Sequence, residues 1–197
     1  MKVIIIGAGS TAATVAEILK QNRVFETVGY IDERPGEKVI DTLKVIGDDS
    51  IIEELYSKGI HNAIVAISDN KIRERIYLRL KNIGFNFINA IHSTAIISPS
   101  VTIGEGVIIE AGVNLLGNTS IGNNVIIAAG SIIGRNSIIN HNVFIGPGVV
   151  AAGENVIKKN AFISCGVSIT NHIIIGKNIK VKVGASVDSN IEDLPLN

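Results

Sequence analysis

Ile121-Gly122-Asn123-Asn124-Val125-Ile126-Ile127-Ala128-Ala129-Gly130-Ser131-Ile132-Ile133-Gly134-Arg135-Asn136-Ser137-Ile138 is the stretch that decides the fold. An aliphatic residue returns at every sixth position, at Ile121, Ile127 and Ile133. A small or apolar residue follows each four places later, at Val125, Ser131 and Ser137. The same phase extends outward in both directions, from Ile91 to about Ile191. Every leading position is apolar, and all but Leu115 and Ala151 are β-branched; Asn155 is the one clearly polar residue in the second series. A period of six fits neither the 3.6 of a helix nor the alternation of a hairpin. It is the hexapeptide signature of a parallel β-helix. The leading aliphatic points inward, the small residue fits near a corner, and Gly and Asn take the turns because positive φ costs them little. Three hexads make one triangular coil, so residues eighteen apart stack at about 4.8 Å. The phase never slips, so no loop interrupts the coils.

The residues before Ile91 follow a different pattern. Val3 to Ile6 is a β-branched run, the mark of a central strand in a parallel sheet. Gly7-Ala8-Gly9-Ser10-Thr11-Ala12 follows, then a helical pattern of Ala13, Val15, Ala16, Ile18 and Leu19 ending near Asn22. Val24 to Ile31 reads as a second strand closed by Asp32-Glu33-Arg34-Pro35-Gly36. Val39 to Ile46 is a short strand or a loop. Ser50 to Lys58 is a helix capped by Gly59, and Asn62 to Ile67 a third strand. Asn70 to Asn82 is a helix with its charges on an outer face, stopped by Gly84, and Phe85 to Asn89 is a last strand. The alternation of strand and helix predicts a small Rossmann-like domain. The chain thus divides into an α/β domain at 1–90 and an all-β domain at 91–197.

Composition sets the outer limits. The 197 residues suffice for two small domains. Eighteen Lys and Arg balance eighteen Asp and Glu, so bulk charge gives no reason to expect nucleic acid or an anionic membrane. One cysteine, Cys165, excludes an internal disulfide and fits a reducing cytoplasm. No apolar run approaches the length of a membrane span. The opening Met1-Lys2-Val3-Ile4-Ile5-Ile6-Gly7 is too short and too soon broken by Gly to be a signal peptide.

Gly7-x-Gly9-x-x-Ala12, after a strand and opening a helix, is the dinucleotide fingerprint with Ala in its third place. Its turn lets a phosphate approach the backbone at a helix N-terminus. Asp32 ends the second strand, where an acid meets a ribose or base. The alternative is a Gly turn that serves only helix–sheet packing. The domain is too short for a full NAD site, so a mononucleotide such as the UDP of a sugar nucleotide fits better.

The two parts in this order resemble the PglD/NeuD-type sugar O- and N-acyltransferases of bacterial glycan biosynthesis. The resemblance rests on Gly7-Ala8-Gly9, Tyr30-Ile31-Asp32-Glu33, Ala66-Ile67-Ser68-Asp69-Asn70-Lys71-Ile72-Arg73, and Ile91-His92-Ser93-Thr94-Ala95-Ile96-Ile97-Ser98-Pro99-Ser100. It implies a left-handed β-helix, a homotrimer, acetyl-CoA bound between subunits, and no metal. It implies a UDP-amino-sugar or related nucleotide sugar at Gly7, Ala8, Gly9, Asp32, Glu33, Ile67 and Asn70. The acyl-CoA groove would draw on Phe144, Gly153, Cys165 and Val183.

The family chemistry uses a histidine as general base with a neighbouring carboxylate. Counted back from Pro147-Gly148, the base position is Arg135, its acid partner is Asn136, and a second family histidine is Phe144. Arginine stays protonated and accepts no proton. The family's closing Gly-x-Pro-Ala-Lys-like segment is replaced here by Leu194-Pro195-Leu196-Asn197.

Four histidines remain to be weighed. His61 and His92 read as turn residues. His141 stacks over Lys159 and Lys177. His172 lies eighteen residues after Glu154, which makes the two stacked neighbours and a substitute base–acid pair; the plainer reading is a surface ladder. Cys165 lies in a column with no base beside it and reads as a small groove residue. Lys158, Lys159, Lys177, Lys180 and Lys182 form a basic patch that faces CoA phosphates or simply water. Outward residues such as Ile108, Ile126 and Phe144 are expected to be covered in the trimer. Two functions follow: an acyl-CoA-dependent acyltransferase acting on a nucleotide-linked amino sugar, or a non-catalytic relative that binds the nucleotide sugar.

Overall fold

The computed structural model describes residues 1–22, 24–33, 39–40 and 43–193. The chain forms two compact units, Met1–Ala90 and Ile91–Asn197. In the first, β1 (Lys2–Ile6) leads into α1 (Ser10–Gln21), followed by β2 (Glu26–Ile31), β3 (Val39–Ile40) and β4 (Leu43–Gly47). Then come α2 (Ile52–Ser57), β5 (Asn62–Val65), α3 (Asn70–Ile83) and β6 (Asn86–Phe87). The sheet order is β3-β4-β2-β1-β5-β6, parallel except for the β3–β4 pair.

Several expectations are refined here. The 39–46 segment is two paired strands, β3 and β4, and not a loop. The helix expected from Ser50 opens as a 3-10 turn at Asp49–Ile51, because Asp48 accepts the N–H of Ser50 and tightens the first turn. The last strand shrinks to two residues. Helix α3 keeps Lys71, Arg75, Arg79 and Lys81 outside, but Arg73 is fully buried. The Arg34-Pro35-Gly36 turn and the Leu194–Asn197 ending lie outside the described residues.

The second unit is a stack of two-residue strands, one per hexad, in three parallel sheets of six, six and five strands. Partners are eighteen residues apart, as in Ile109↔Ile127 and Ile133↔Ala151. The leading aliphatics and the corner residues fill one core, with Ile109, Ile127, Val143, Ile145 and Ile163 fully out of water. Removing one such side chain to Ala costs about 2–5 kcal/mol. The next coil of the stack lies so close that a Cβ on Gly134 would meet the Ala152 carbonyl at 1.6 Å, which is why Gly follows the aliphatic there. Three corners separate the sheets. The first holds residues 128–131, 146–149, 164–167 and 182–185; the second 116–119, 134–137, 152–155 and 170–173; the third 122–125, 140–143, 158–161 and 176–179.

One expectation about the faces is overturned. Ile108 and Ile126 point out of the coil but are already buried within the single chain, at 0% and 1% exposure, so they offer nothing for a partner to cover. Phe144 is half-buried and stacks on Phe162 at 4.5 Å. The exposed outward aliphatics are Ile96, Ile132 and Val150 in one sheet and Ile138 and Ile174 in another.

Candidate functional site

In the α/β sheet the chain runs from β1 to β2 on one side and later to β5 on the other. The crevice at such a switch point, beyond the strands' carboxyl ends, is where doubly wound sheets bind ligands. A cavity of about 340 Å³ lies there. Six of the residues expected from sequence line it: Gly7, Ala8, Gly9, Asp32, Glu33 and Ile67. Gly7 is required twice over. Its φ is +101°, and a Cβ would sit 2.9 Å from both the Ala66 carbonyl and Ile67 Cγ1. Gly9 caps α1 with no side chain over the helix end, and a Cβ there would find no atom within 4 Å. That open space in front of a helix N-terminus is where an anion is favoured. Asp32 closes the turn: its Oδ2 accepts the N–H of Ala8 at 2.9 Å. The acid therefore fixes the loop at the edge of the cavity.

Asn70 does not line the cavity. It is buried at the start of α3, and its Oδ1 accepts from Arg73 Nη2 at 2.7 Å. Sequence reading missed Ser10, Thr11, Asp49, Ser68 and Arg75, which also line the cavity. A signal existed for Arg75: Ile72, Arg75 and Ile76 share one helical face at i, i+3 and i+4, and all three reach the cavity. Asp49 is held by Arg79, whose Nη1 and Nη2 reach its carboxylate at 3.3 Å and its carbonyl at 3.0 Å.

On the β-helix the expected residues fall on different corners. Arg135, Asn136, Gly153, Glu154 and His172 share the second corner. Backbone bonds join the coils there, from Glu154 N–H to the Arg135 carbonyl at 2.8 Å and from His172 N–H to the Gly153 carbonyl at 3.1 Å. Asn118 Nδ2 donates to Asn136 Oδ1 at 3.2 Å, and Arg135 is exposed, its guanidinium lying over Gly117. Cys165 and Val183 stack on the first corner, both exposed, and Phe144 lies on the strand leading to it. His141 and the Lys158–Lys159 pair are on the third corner. There Lys158 pairs with Asp193 at 3.0 Å, while Lys180, on the Phe144–Phe162 face, lies over the Phe162 ring at 5.2 Å.

Two histidines differ in what their partners impose. His172 Nδ1 lies 3.0 Å from Glu154 Oε2. A carboxylate there holds the proton on Nδ1 and leaves Nε2 with a free lone pair, the state of a base. His141 Nδ1 instead accepts the backbone N–H of Asn123 at 2.9 Å. Its neutral form carries the proton on Nε2, which leaves no free lone pair on the outer nitrogen. Glu154 and His172 stand out in another way. Among the described residues eight non-Gly residues have positive φ; six are Asn, and these are the other two. Among the described residues no group of three His, Cys, Asp or Glu is placed to hold a metal ion, and no helix is long and apolar enough to cross a membrane.

A nucleotide-sized cavity at the head of an α/β sheet, continued by a hexapeptide β-helix, defines a hexapeptide-repeat acyltransferase with a nucleotide-sugar domain. The PglD N-terminal domain model matches residues 2–80. A His-to-Asn variant of perosamine N-acetyltransferase from Caulobacter crescentus, in complex with CoA and GDP-perosamine, shares 30% identity. Its alignment covers 98% of this chain and 91% of that one with a TM-score of 0.94. The acetyltransferase domain of PglB from Neisseria gonorrhoeae, in complex with acetyl coenzyme A, shares 26% identity over 98% of this chain and 93% of that one, with a TM-score of 0.92. WeeI from Acinetobacter baumannii has the same fold, at 19% identity, a TM-score of 0.73 and 96% coverage of each chain. The chain belongs to the PglD/NeuD-type family of sugar acyltransferases, and its β-helix is accordingly left-handed.

Proposed function

We propose that this protein transfers an acetyl group from acetyl-CoA to the amino group of a nucleotide-linked sugar. The observation that carries the reading is the cavity at Gly7, Gly9 and Asp32, with an uncapped helix end for a diphosphate and a carboxylate for a ribose, in one chain with a hexapeptide β-helix. The relatives in complex with CoA, acetyl-CoA and GDP-perosamine support the same substrates here. The carrier nucleotide is UDP or GDP. Gly7, Ala8, Gly9, Asp32, Glu33 and Ile67 bind it, and Asn70 supports them from behind.

Arg135 and Asn136 take the family's base and acid positions but cannot do their work, since guanidinium and amide accept no proton at working pH. His172 with Glu154 replaces them. Non-Gly residues at positive φ are strained by about 1–3 kcal/mol, and the other described β-helix turns of this kind hold Asn or Gly. A bonded Glu–His pair kept there fits a chemical role. In the step, His172 Nε2 takes a proton from the sugar amine as nitrogen attacks the thioester carbon. The tetrahedral adduct then collapses with loss of the CoA thiolate, which is protonated as it leaves. Phe144, Gly153, Cys165 and Val183 contribute to the acyl-CoA groove. Because they are spread over two corners and a face of one chain, the complete site draws on neighbouring copies in a homotrimer. The exposed single thiol of Cys165 suits the cytoplasm.

Arg135 also favours a second reading, a relative that binds nucleotide sugar without catalysis. A thiol-release assay with acetyl-CoA and a panel of UDP- and GDP-linked amino sugars separates the two. Acetylated product with one carrier is expected. Tight nucleotide binding without thiol release would establish the second reading, and neither binding nor release would refute both.

A further inference from the structure

Arg73 is the only buried charged side chain among the described residues. Nothing in the reaction above uses it, and burying a guanidinium is costly. Burial pushes its pKa down to about 9, against the pull of Asp69 and Glu74. Its bonds show where that cost is directed. The last ladder bond of β5 runs from Ala66 N–H to the Ile6 carbonyl at 2.8 Å. Beyond it the chain leaves the sheet as Ile67 and Ser68, both of which line the cavity. Arg73 Nη1 donates to the carbonyls of these two residues at 2.9 and 3.1 Å, and Nη2 donates to Asn70 Oδ1 at 2.7 Å. The segment held in this way faces the phosphate turn directly, since a Cβ on Gly7 would touch Ala66 and Ile67. The planar fork divides the contacts, Nη1 to the two successive carbonyls and Nη2 to Asn70, an arrangement that a single ammonium reproduces less well.

We propose that Arg73 is a positioning residue of the nucleotide site, fixing the Ile67–Ser68 wall against the Gly7–Gly9 turn so that a nucleoside diphosphate is gripped between them. The proposal rests on the reading of this cavity as the nucleotide site. Binding energy here depends on a preformed wall, so its loss raises the cost of ordering the ligand. Arg73 touches no substrate; it acts through two backbone carbonyls and through Asn70. This gives Asn70, which does not line the cavity, a supporting part in the site.

The test uses the full chain and the variants Arg73→Lys and Asn70→Ala. Affinity for UDP and GDP is measured by calorimetry, KM for the nucleotide sugar and for acetyl-CoA by thiol release, and thermal stability alongside. Arg73→Lys is expected to weaken nucleotide affinity and raise the nucleotide-sugar KM about tenfold, with kcat and the acetyl-CoA KM within about twofold of the parent. Asn70→Ala removes one of the three bonds and should move the same constant in the same direction by less, which keeps the test open if Arg73→Lys fails to fold. Equal nucleotide affinity in parent and variants would overturn the positioning role alone. So would a parallel rise of both KM values with lowered stability, because Arg73 would then serve folding in general. A parent that binds neither UDP nor GDP would overturn the nucleotide reading itself, and the proposal with it.

Discussion

At the scale of single residues, a proton's location decides the chemistry. Glu154 Oε2 lies against His172 Nδ1, while the Asn123 N–H occupies Nδ1 of His141. If His172 is the base, His172→Ala should lower kcat about 10²–10³-fold, the usual worth of general-base catalysis, with both KM values little changed. Restoring the family pair with Arg135→His and Asn136→Glu should then raise activity in the His172→Ala background by at least about tenfold. A His172→Ala protein at parental rate would show that the base lies elsewhere. At the other site, Gly9→Val puts a branched side chain into space that no protein atom fills. It should abolish UDP and GDP binding by calorimetry while leaving the fold intact, and unchanged affinity would remove the phosphate from that spot. The fingerprint and Asp32 were legible because their backbone logic is local in sequence. Asn70 lies off the cavity because helix α3 turns it toward Arg73, a partner visible only once the helix is packed.

At the scale of elements, the hexad phase predicted one short strand per hexad and the eighteen-residue stacking of the β-helix, since one inward aliphatic per six residues admits a single register. The α/β half was read less sharply. The strand pair at 39–47 and the shortened β6 depend on sheet neighbours that short apolar runs do not encode. Burial on the coil faces was also out of reach, as Ile108 and Ile126 show. Glu110 is another consequence of stacking. It follows an inward isoleucine, is half-buried, and accepts the Ala129 N–H at 3.0 Å. Desolvation raises its pKa above 4.5, with the Ala129 bond opposing. An acid with a raised folded pKa carries no penalty below its unfolded value, where both states are protonated. The penalty grows as pH rises and is complete above the folded pKa. Glu110→Gln keeps an acceptor for Ala129 and removes the charge. It should therefore stabilise the chain at pH 7, and the gain should fade as pH falls toward 4. The check is thermal melting of parent and variant at both values; a gain that persists unchanged at low pH would mean that desolvation is not its cause.

At the scale of the whole molecule, the second corner carries Arg135, Glu154 and His172, and it lies between two sheets with exposed aliphatics on both sides. Ile132 and Val150 are 37% and 43% exposed on one flank, Ile138 and Ile174 46% and 39% on the other. Contiguous apolar surface of this kind favours association, at about 25 cal/mol for each Å² removed from water, and closed symmetry is the usual outcome. Covering both flanks with two neighbours would bury these faces. We expect light scattering to return three times the 20.8 kDa of one chain. Val150→Lys combined with Ile138→Lys puts two charges into each such interface, where an unpaired buried charge is strongly destabilising, and should shift the mass toward the monomer. Nucleotide affinity should survive, because the Gly7–Asp32 cavity belongs to one chain, while thiol release should fall with the trimer fraction as concentration is lowered. A parent that runs as a monomer at micromolar concentration and still turns over would show that one chain assembles the acyl-transfer site alone.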